Sequence, residues 1–341
     1  MMCTFFYNKK TRIYNVFEDG SITPQKELYT EGNPESICFA PNGRWGMLGS
    51  HTTSYPFTQK TIILKLDKNR KISVLGSVHN EYGPLVSISP DSRYGVYGNY
   101  LKSLRFFKNN TFQEIPSTFT CVGGINAPFS VYNRNFLAIS TRTEVSEYTL
   151  LPDGRTSSTG FSIDLKPIIP NYDIKISPDG KTCVLVGCGD YHSMATLRLH
   201  KEGGFHLAQK IHPYYTSPCQ VGFTPDSNYA IVSFSSGPAN DEIGMISYII
   251  NGDSTLTKVD EIDLPPGAGE DMAVTPDGKF AITRTLSASL GNSDFYVVRI
   301  YNDGTLVFLP EKTYRTPGQV SHIAFVPPRK TAADKIWKMY E

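Results

Sequence analysis

The chain has 341 residues, with 33 Lys and Arg against 32 Asp and Glu, which gives a net charge of +1. The basic residues are scattered rather than striped, so neither nucleic acid nor an anionic membrane surface is favoured as a partner. With 28 Gly, 23 Pro, 20 Tyr and 19 Phe and only 19% charged residues, the composition favours strands and turns over helices.

The N-terminal segment carries charge by Lys9 and has no apolar stretch of signal-peptide length. No apolar run approaches the roughly 20 residues that cross a bilayer. The six Cys include no CxxC pair and are too few for a disulfide framework in a chain of this length. A reducing, cytoplasmic location is therefore expected.

A short apolar run followed by a tight turn recurs along the chain, as in IKISPDGKT and MAVTPDGKF. Pro presets the backbone for such a turn, and Asp, Asn or Gly completes it. A second apolar strand follows each turn, so each copy predicts a β-hairpin. The equivalent turn positions, 42 to 51 residues apart, are Pro41, Pro90, Tyr132, Pro178, Pro225, Pro276 and Pro327. This is the period of a four-stranded propeller blade.

A second series of seven polar turns alternates with the first and predicts an outer hairpin for each blade. These turns lie at residues 18–20, 67–69, 108–110, 152–154, 202–204, 251–253 and 302–304. The chain opens on an outer turn and closes on an inner one. Residues 2–28 are therefore expected to supply the outer strands of a blade whose innermost strand is 319–326.

The sequence thus predicts an all-β fold, a seven-bladed β-propeller of four-stranded antiparallel blades. The N- and C-terminal strands would close the ring within one blade, which leaves no open sheet edge at the seam. Residues 1–330 form this single domain, and 331–341 form a tail. A two-domain β-sandwich is the alternative, but a sandwich gives no such regular period.

The Ser-Pro-Asp-Gly turns, together with Pro317-Gly318-Gln319-Val320 leading into IAFVP, resemble the lactonase-type seven-bladed propellers. This family includes 6-phosphogluconolactonase and its muconate-cyclising relatives. The resemblance covers nearly the whole chain and implies lactone hydrolysis or cyclisation. Where family members carry a His and an Arg-His pair, this chain has Tyr172 and Cys219-Gln220.

The residues six and five positions before each inner turn are expected to ring one mouth of the central channel. This ring contains four carboxylates and no Lys or Arg, so it would suit a cationic or hydroxyl-rich ligand. We expect Glu270, Asp271 and His322 to transfer protons. The residues expected to position the substrate are Glu35, Tyr172, Asp173 and Gln220. Alternatively, since neighbours on a strand face opposite sides, one member of a pair is only a buried hydrogen-bond acceptor.

The longest loops are expected on the same face, where they would add His51, Tyr55, Asp190, His192 and Arg284. The spacing Cys188-x-Asp190-x-His192 is not a recognised metal-ligand pattern. No nucleotide-binding or nucleophile-elbow motif is present. We therefore predict no metal site and no organic cofactor, although the acidic mouth leaves room for a divalent cation.

Two functions remain open at this stage. The first is a lactonase-like enzyme, a hydrolase or a cyclase or isomerase, acting on a small oxygen-rich or cyclic substrate. The second is a non-catalytic scaffold that binds a protein or peptide partner on the loop-rich face. A pocket lined by the carboxylates and His322 favours the enzyme, whereas paired or buried carboxylates favour the scaffold.

Overall fold

The computed structural model describes most of the chain. The described residues are 2–5, 10–30, 32–51, 59–80, 85–98, 100–116, 127–139, 143–166, 168, 173–187, 193–211, 217–235, 243–265, 268–285 and 292–327. Within these ranges the chain forms 28 strands and a single 3₁₀ turn at Pro310–Lys312. None of these residues belongs to a helix long and apolar enough to cross a membrane.

The strands follow one another in short hairpins. The first eleven are β1 (Met2–Phe5), β2 (Lys10–Val16), β3 (Ile22–Tyr29), β4 (Asn33–Phe39), β5 (Trp45–His51), β6 (Gln59–Leu66), β7 (Ile72–Asn80), β8 (Val86–Ile88), β9 (Tyr94–Tyr97), β10 (Lys102–Phe106) and β11 (Phe112–Ile115). The next seven are β12 (Asn135–Ile139), β13 (Glu144–Leu150), β14 (Thr156–Asp164), β15 (Asp173–Ile176), β16 (Thr182–Gly187), β17 (Ser193–Leu199) and β18 (Phe205–Ile211). The last ten are β19 (Ser217–Phe223), β20 (Tyr229–Ser235), β21 (Ile243–Ile250), β22 (Leu256–Leu264), β23 (Ala268–Val274), β24 (Phe280–Thr285), β25 (Asn292–Ile300), β26 (Leu306–Phe308), β27 (Tyr314–Pro317) and β28 (Val320–Ala324).

Successive strands pair antiparallel into separate sheets, which is the arrangement of a β-propeller. Six sheets have at least four strands and are its blades; each is named here after its innermost strand, β4, β8, β15, β19, β23 or β28. In the β23 blade, both β26 and β27 pair with β25. A further sheet, β12–β14, has three strands, and an isolated bridge between Phe129 and Phe136 lies beside it.

The ring closes where the two ends of the chain meet. In the β28 blade, the C-terminal strand β28 pairs with the N-terminal strand β1, with Met2 opposite Ala324 and Thr4 opposite His322. The strand order is β28-β1-β2-β3. This confirms the prediction that both termini contribute strands to one blade. The predicted tail, residues 331–341, lies outside the described residues.

The core lies between the faces of neighbouring blades. Val184 and Met194 of the β15 blade pack in one cluster with Val221 and Phe234 of the β19 blade. Between the β4 and β8 blades, the Trp45 ring stacks on Phe106 with 5.2 Å between ring centroids. Burial of such side chains at about 1.5–3 kcal/mol each holds adjacent blades together.

All seven predicted outer turns are confirmed. In each, a residue with positive φ, between 62° and 101°, donates its N–H to the carbonyl oxygen three residues earlier. Glycine adopts this conformation without a steric penalty. The seven donors are Gly20, Arg70, Asn110, Gly154, Gly203, Ser254 and Gly304.

The inner turns also link neighbouring blades. Ser92 and Ser227 hold the left-handed position, with φ of 58° and 61°, that Gly occupies in the inner turns of other blades. The Ser92 hydroxyl accepts the N–H of Asn42 at 3.2 Å, and the Ser227 hydroxyl accepts that of Asp179 at 2.9 Å. Each bond joins two successive blades, which gives serine a role that glycine could not fill at these positions.

Candidate functional site

The innermost strands surround a cavity of about 350 Å³ on the propeller axis. All six blades contribute lining residues to it, as do Ala127 and Pro128 ahead of the β12–β14 sheet. Most of the lining is apolar. The polar side chains among the described lining residues are Cys38, Ser87, Lys175 and His322.

Four successive blades carry a β-bulge near the start of the innermost strand. The register shifts between Pro34 and Ser36 in β4, and between Pro218 and Gln220 in β19. In β23 the register shift is wider and covers residues 269–271. In β28 the residue without a pairing partner on the neighbouring strand is Ser321. A bulge leaves one residue out of the ladder and re-aims its side chain. The bulges therefore fall on the positions that the sequence placed at the channel mouth.

His322 and Asp271 form a pair at the boundary of the β23 and β28 blades. The Nδ1 atom of His322 lies 3.2 Å from Oδ1 of Asp271. The other carboxylate oxygen, Oδ2, accepts the backbone N–H of Ile323. Asp271 is 1% exposed, whereas the His322 side chain is 13% exposed and lines the cavity. A buried carboxylate thus orients an imidazole that can meet a ligand.

A similar pair of a buried carboxylate and a basic side chain lies between the β15 and β19 blades. Asp173 is also 1% exposed, and its Oδ2 accepts the N–H of Val221 at 3.1 Å. The Lys175 ammonium is 3.0 Å from the same oxygen and donates to the carbonyl of Val221 at 2.7 Å. In both pairs, Asp271–His322 and Asp173–Lys175, the carboxylate accepts a backbone N–H of the next blade and the basic residue lines the cavity.

These contacts change the electrostatic expectation. The sequence predicted a mouth of carboxylates without Lys or Arg, but two of the four carboxylates, Asp173 and Asp271, are buried and paired. The basic residues paired with these carboxylates, Lys175 and His322, are the ones that line the cavity. For Asp173 and Asp271 the structure shows the buried-acceptor arrangement that the sequence left as the alternative, since both bind backbone N–H groups of the next blade.

Glu35 and His51 form a third pair, on the β4 blade. His51 Nδ1 lies 2.9 Å from Glu35 Oε1, and both side chains are about a quarter exposed, at 21% and 25%. Burial raises the pKa of Glu35 above its ordinary value of 4.5, and the neighbouring His51 opposes this shift. A carboxyl group that keeps its proton more readily than usual can serve as a proton donor.

A chain of contacts connects this pair to the β28 and β23 blades. The hydroxyl of Ser321 donates to the carbonyl of Pro34 at 2.6 Å, next to Glu35. The guanidinium of Arg284 donates to the Ser321 carbonyl at 3.4 Å. Arg284 is only 6% exposed and lies within β24 rather than on the loop where the sequence had placed it. The candidate site is therefore centred on three adjacent blades, β23, β28 and β4.

The remaining candidates are distributed as follows. Gln220 is 7% exposed in β19, beside the bulge of that strand. Glu270 lies in the β23 bulge, and its side chain is not among those described. The candidates outside the described residues are Tyr55, Tyr172, Asp190 and His192. Among the side chains that are described, no group of three or more His, Cys, Asp or Glu is placed to hold a metal ion.

The sequence prediction did not include two cavity residues, Lys175 and Cys38, because it covered only two positions in each blade. Both lie three residues before the turn proline, and side chains at alternate positions of a strand share a face. Asp173 and Lys175 are two residues apart, so the alternation could have revealed this lysine. Burial raises the pKa of the Cys38 thiol well above its ordinary value of 9.0, so this thiol stays protonated.

Comparison with known proteins supports the fold. No family model matches the sequence, and no curated protein matches it. Among solved structures, the chain is similar to a 6-phosphogluconolactonase, so named provisionally, from Bacteroides uniformis (15% identity, TM-score 0.73, covering 94% of this chain and 97% of that one). It is also similar to a periplasmic gluconolactonase from Pseudomonas aeruginosa (14% identity, TM-score 0.75, covering 94% and 96%).

A more distant likeness is to the β-propeller domain of Cps50 from Myceliophteria thermophila (12% identity, TM-score 0.55, covering 82% of this chain and 87% of that domain). The TM-scores with the two lactonase structures, 0.73 and 0.75, are therefore higher than the score of 0.55 with the Cps50 domain. At these identities the likeness establishes the fold alone, because one fold serves many functions. The class that the fold defines is the β-propeller.

Proposed function

We propose that this chain is a lactonase-like propeller enzyme that acts on a small oxygen-rich or cyclic substrate in the axial cavity. The observation that carries the proposal is the His322–Asp271 pair, in which a buried carboxylate orients an imidazole on the cavity wall. Lactone hydrolysis is the reaction that fits best, with cyclisation or isomerisation as variants of the same acid–base chemistry. The proposed location is the cytoplasm.

In this proposal, His322 removes a proton from water as it attacks the lactone carbonyl. Asp271 holds the ring through Nδ1 and stabilises the imidazolium that forms. The imidazolium then returns the proton to the ring oxygen as the acyl–oxygen bond breaks. Lys175 donates hydrogen bonds to substrate oxygens, since it lines the cavity and a third of its side chain is exposed.

The other sequence candidates keep supporting roles in the proposal. Glu270 is a second proton-transfer group, and Glu35, whose pKa is raised, donates a proton at the β4 side of the mouth. The residues proposed to position the substrate are Tyr172, Gln220, His51, His192 and Arg284. Asp173 acts indirectly in this proposal, because its buried carboxylate holds the ammonium of Lys175. No metal or organic cofactor enters these steps, although the carboxylates leave room for a divalent cation.

We further propose that the β12–β14 sheet is a seventh blade. The Phe129–Phe136 bridge stands where an innermost strand would pair with the next strand. In addition, Ala127 and Pro128 line the axial cavity, as the innermost strands of the six blades do. The seven outer turns, one for each proposed blade, also support this count.

The test is substitution of His322 with Gln, measured as base uptake at constant pH on a panel of sugar lactones. General acid–base groups contribute about 10²–10⁴-fold to a rate, so His322→Gln should lose turnover by that order while keeping its fold. The control is His206→Gln, because His206 lies in β18 away from the cavity lining and bonds to His200. Equal rates for His322→Gln and the unsubstituted protein would remove this residue from the mechanism.

A scaffold function remains the second candidate, and a specific observation favours it. Asp173 and Asp271 are each 1% exposed, and one carboxylate oxygen of each accepts a backbone N–H of the next blade. This is the paired, buried state expected of carboxylates that only hold the ring together. If no lactone in the panel is hydrolysed faster than in buffer, the enzyme proposal fails and a protein or peptide partner becomes the better explanation.

A further inference from the structure

A second cavity, of about 530 Å³, lies on the face of the propeller that carries the tight turns. Its walls are the inner turn at 275–277, the outer turns at 17–18 and 69–70, and the end of the last described strand at Phe325 and Val326. We call it the seam groove. Its position follows from ring closure, because β28 and β1 are far apart along the chain and no turn joins them here.

The chain leaves the β28 blade at the edge of this groove. The guanidinium of Arg70 donates to the carbonyl oxygens of Val326 at 2.7 Å and of Pro327 at 2.8 Å. Arg70 has a φ of 62°, in an outer turn where glycine is the commonest residue. That conformation costs an L-residue about 1–2 kcal/mol. These contacts fix the point from which residues 328–341 begin.

The groove and the segment that begins beside it are complementary in composition. The groove exposes Phe17, at 50%, together with the carboxylates of Glu18 and Asp277. Residues 328–341 contain a cluster of apolar side chains and four basic ones. The apolar side chains are Ile336, Trp337, Met339 and Tyr340, and the basic ones are Arg329, Lys330, Lys335 and Lys338. Fourteen extended residues reach roughly 45 Å, so length does not prevent this segment from crossing the groove.

We propose that residues 328–341 dock in the seam groove, with the apolar side chains of 336–340 on Phe17 and the basic side chains beside Glu18 and Asp277. Docking would cover the apolar surface and clamp the blade on which ring closure depends. The occupant is this chain's own segment, because its attachment at Pro327 gives it a high effective concentration at the groove. This proposal is independent of the proposed function.

The first test places a photo-crosslinking benzophenone side chain at residue 17 of the full-length protein. The matched control carries it at residue 161, because Phe161 is also 50% exposed but lies on β14. We expect crosslinks from residue 17 to a peptide within 328–341 of the same chain, and none from residue 161. Crosslinks from residue 17 only to other segments or to a second copy, or equal yields at both positions, would overturn the proposal.

The second test uses the fluorescence of Trp337 and its quenching by acrylamide. The chain has two Trp, and Trp45 is 2% exposed and stacked on Phe106, so quenching reports mainly on Trp337. Glu18→Lys should raise the quenching constant severalfold, because the reversed charge repels the basic segment. Glu202→Lys, the equivalent change in the outer turn at 202–204, should leave it unchanged. If Glu18→Lys has no effect beyond that of Glu202→Lys, the segment does not lie in the groove.

Discussion

Replacing Asp173 by Ala should show how much a single carboxylate contributes to holding two blades together. Its Oδ1 accepts the N–H of Ile174 at 3.0 Å, and its Oδ2 accepts the N–H of Val221, in the next blade, at 3.1 Å. Lys175 lies 3.0 Å from Oδ2, and the Asp173 side chain is fully buried. The substitution therefore removes two charge-assisted hydrogen bonds and the partner of one ammonium group.

The expected loss can be bounded from these contacts. A hydrogen bond to a charged group contributes about 1.5–3 kcal/mol, and removing one member of a buried ion pair costs about 3–5 kcal/mol. Lys175 is 33% exposed, so water replaces part of its lost interaction. We expect Asp173→Ala to lower the free energy of unfolding by about 3–4 kcal/mol, and Asp173→Asn by about half as much, since the amide keeps one acceptor.

The assay is urea unfolding of both variants, combined with hydrogen exchange at the amide of Val221. Local exchange at that amide should accelerate in Asp173→Ala even under native conditions, because its acceptor is gone. Asp303→Ala, in an exposed outer turn, is the control and should change stability little. A loss below about 1 kcal/mol for Asp173→Ala, the net value of one ordinary hydrogen bond, with Val221 exchange unchanged, would refute the idea that this carboxylate joins the blades.

Two further predictions concern glycine and pH. Gly154→Ala should lower the free energy of unfolding more than Gly160→Ala. Both glycines have a φ of 88°, which costs an alanine about 1 kcal/mol, but only at Gly154 would the new Cβ overlap other side chains, those of Ile115 and Tyr94, which adds about 1–3 kcal/mol; equal unfolding free energies would contradict this. Glu35→Gln should flatten the pH dependence of stability above pH 4.5. The raised pKa of Glu35 means that the folded state binds this proton more tightly than the unfolded state does. The free energy of unfolding therefore falls as the pH rises from 4.5 to the raised pKa. The urea midpoint should fall less over this pH range in Glu35→Gln.

The turns were the part of the fold that could be read from the sequence. Pro, Asp and Gly act locally, so motifs such as that at Pro178 fix a hairpin whatever surrounds it, and their order along the chain predicted the closure between β1 and β28. The orientation of the site residues could not be read in the same way. The bulges at Glu35 and Ser321 shift the alternation of side chains, and nothing in the local residue types marks them.

The Asp271–His322 contact shows a second limit. Both residues were selected as candidates, but only the packing of the β23 blade against the β28 blade places the carboxylate on the imidazole. The same holds for Lys175, whose ammonium reaches the carbonyl of Val221, a residue 46 positions further along the chain. Such partnerships depend on how blades face one another, which a local pattern does not contain.

Pairing of β1 with β28 also governs the order in which the molecule can be completed during synthesis. Phe5 pairs with Val320, 315 residues further along the chain (320 − 5), so the edge of β1 stays unpaired until β28 has been made. Contacts this far apart along the chain form slowly, and a ribosome adds only about 5–20 residues per second. During that interval the nascent chain exposes an unpaired strand edge, and pairing of this edge with a wrong strand would prevent the ring from closing.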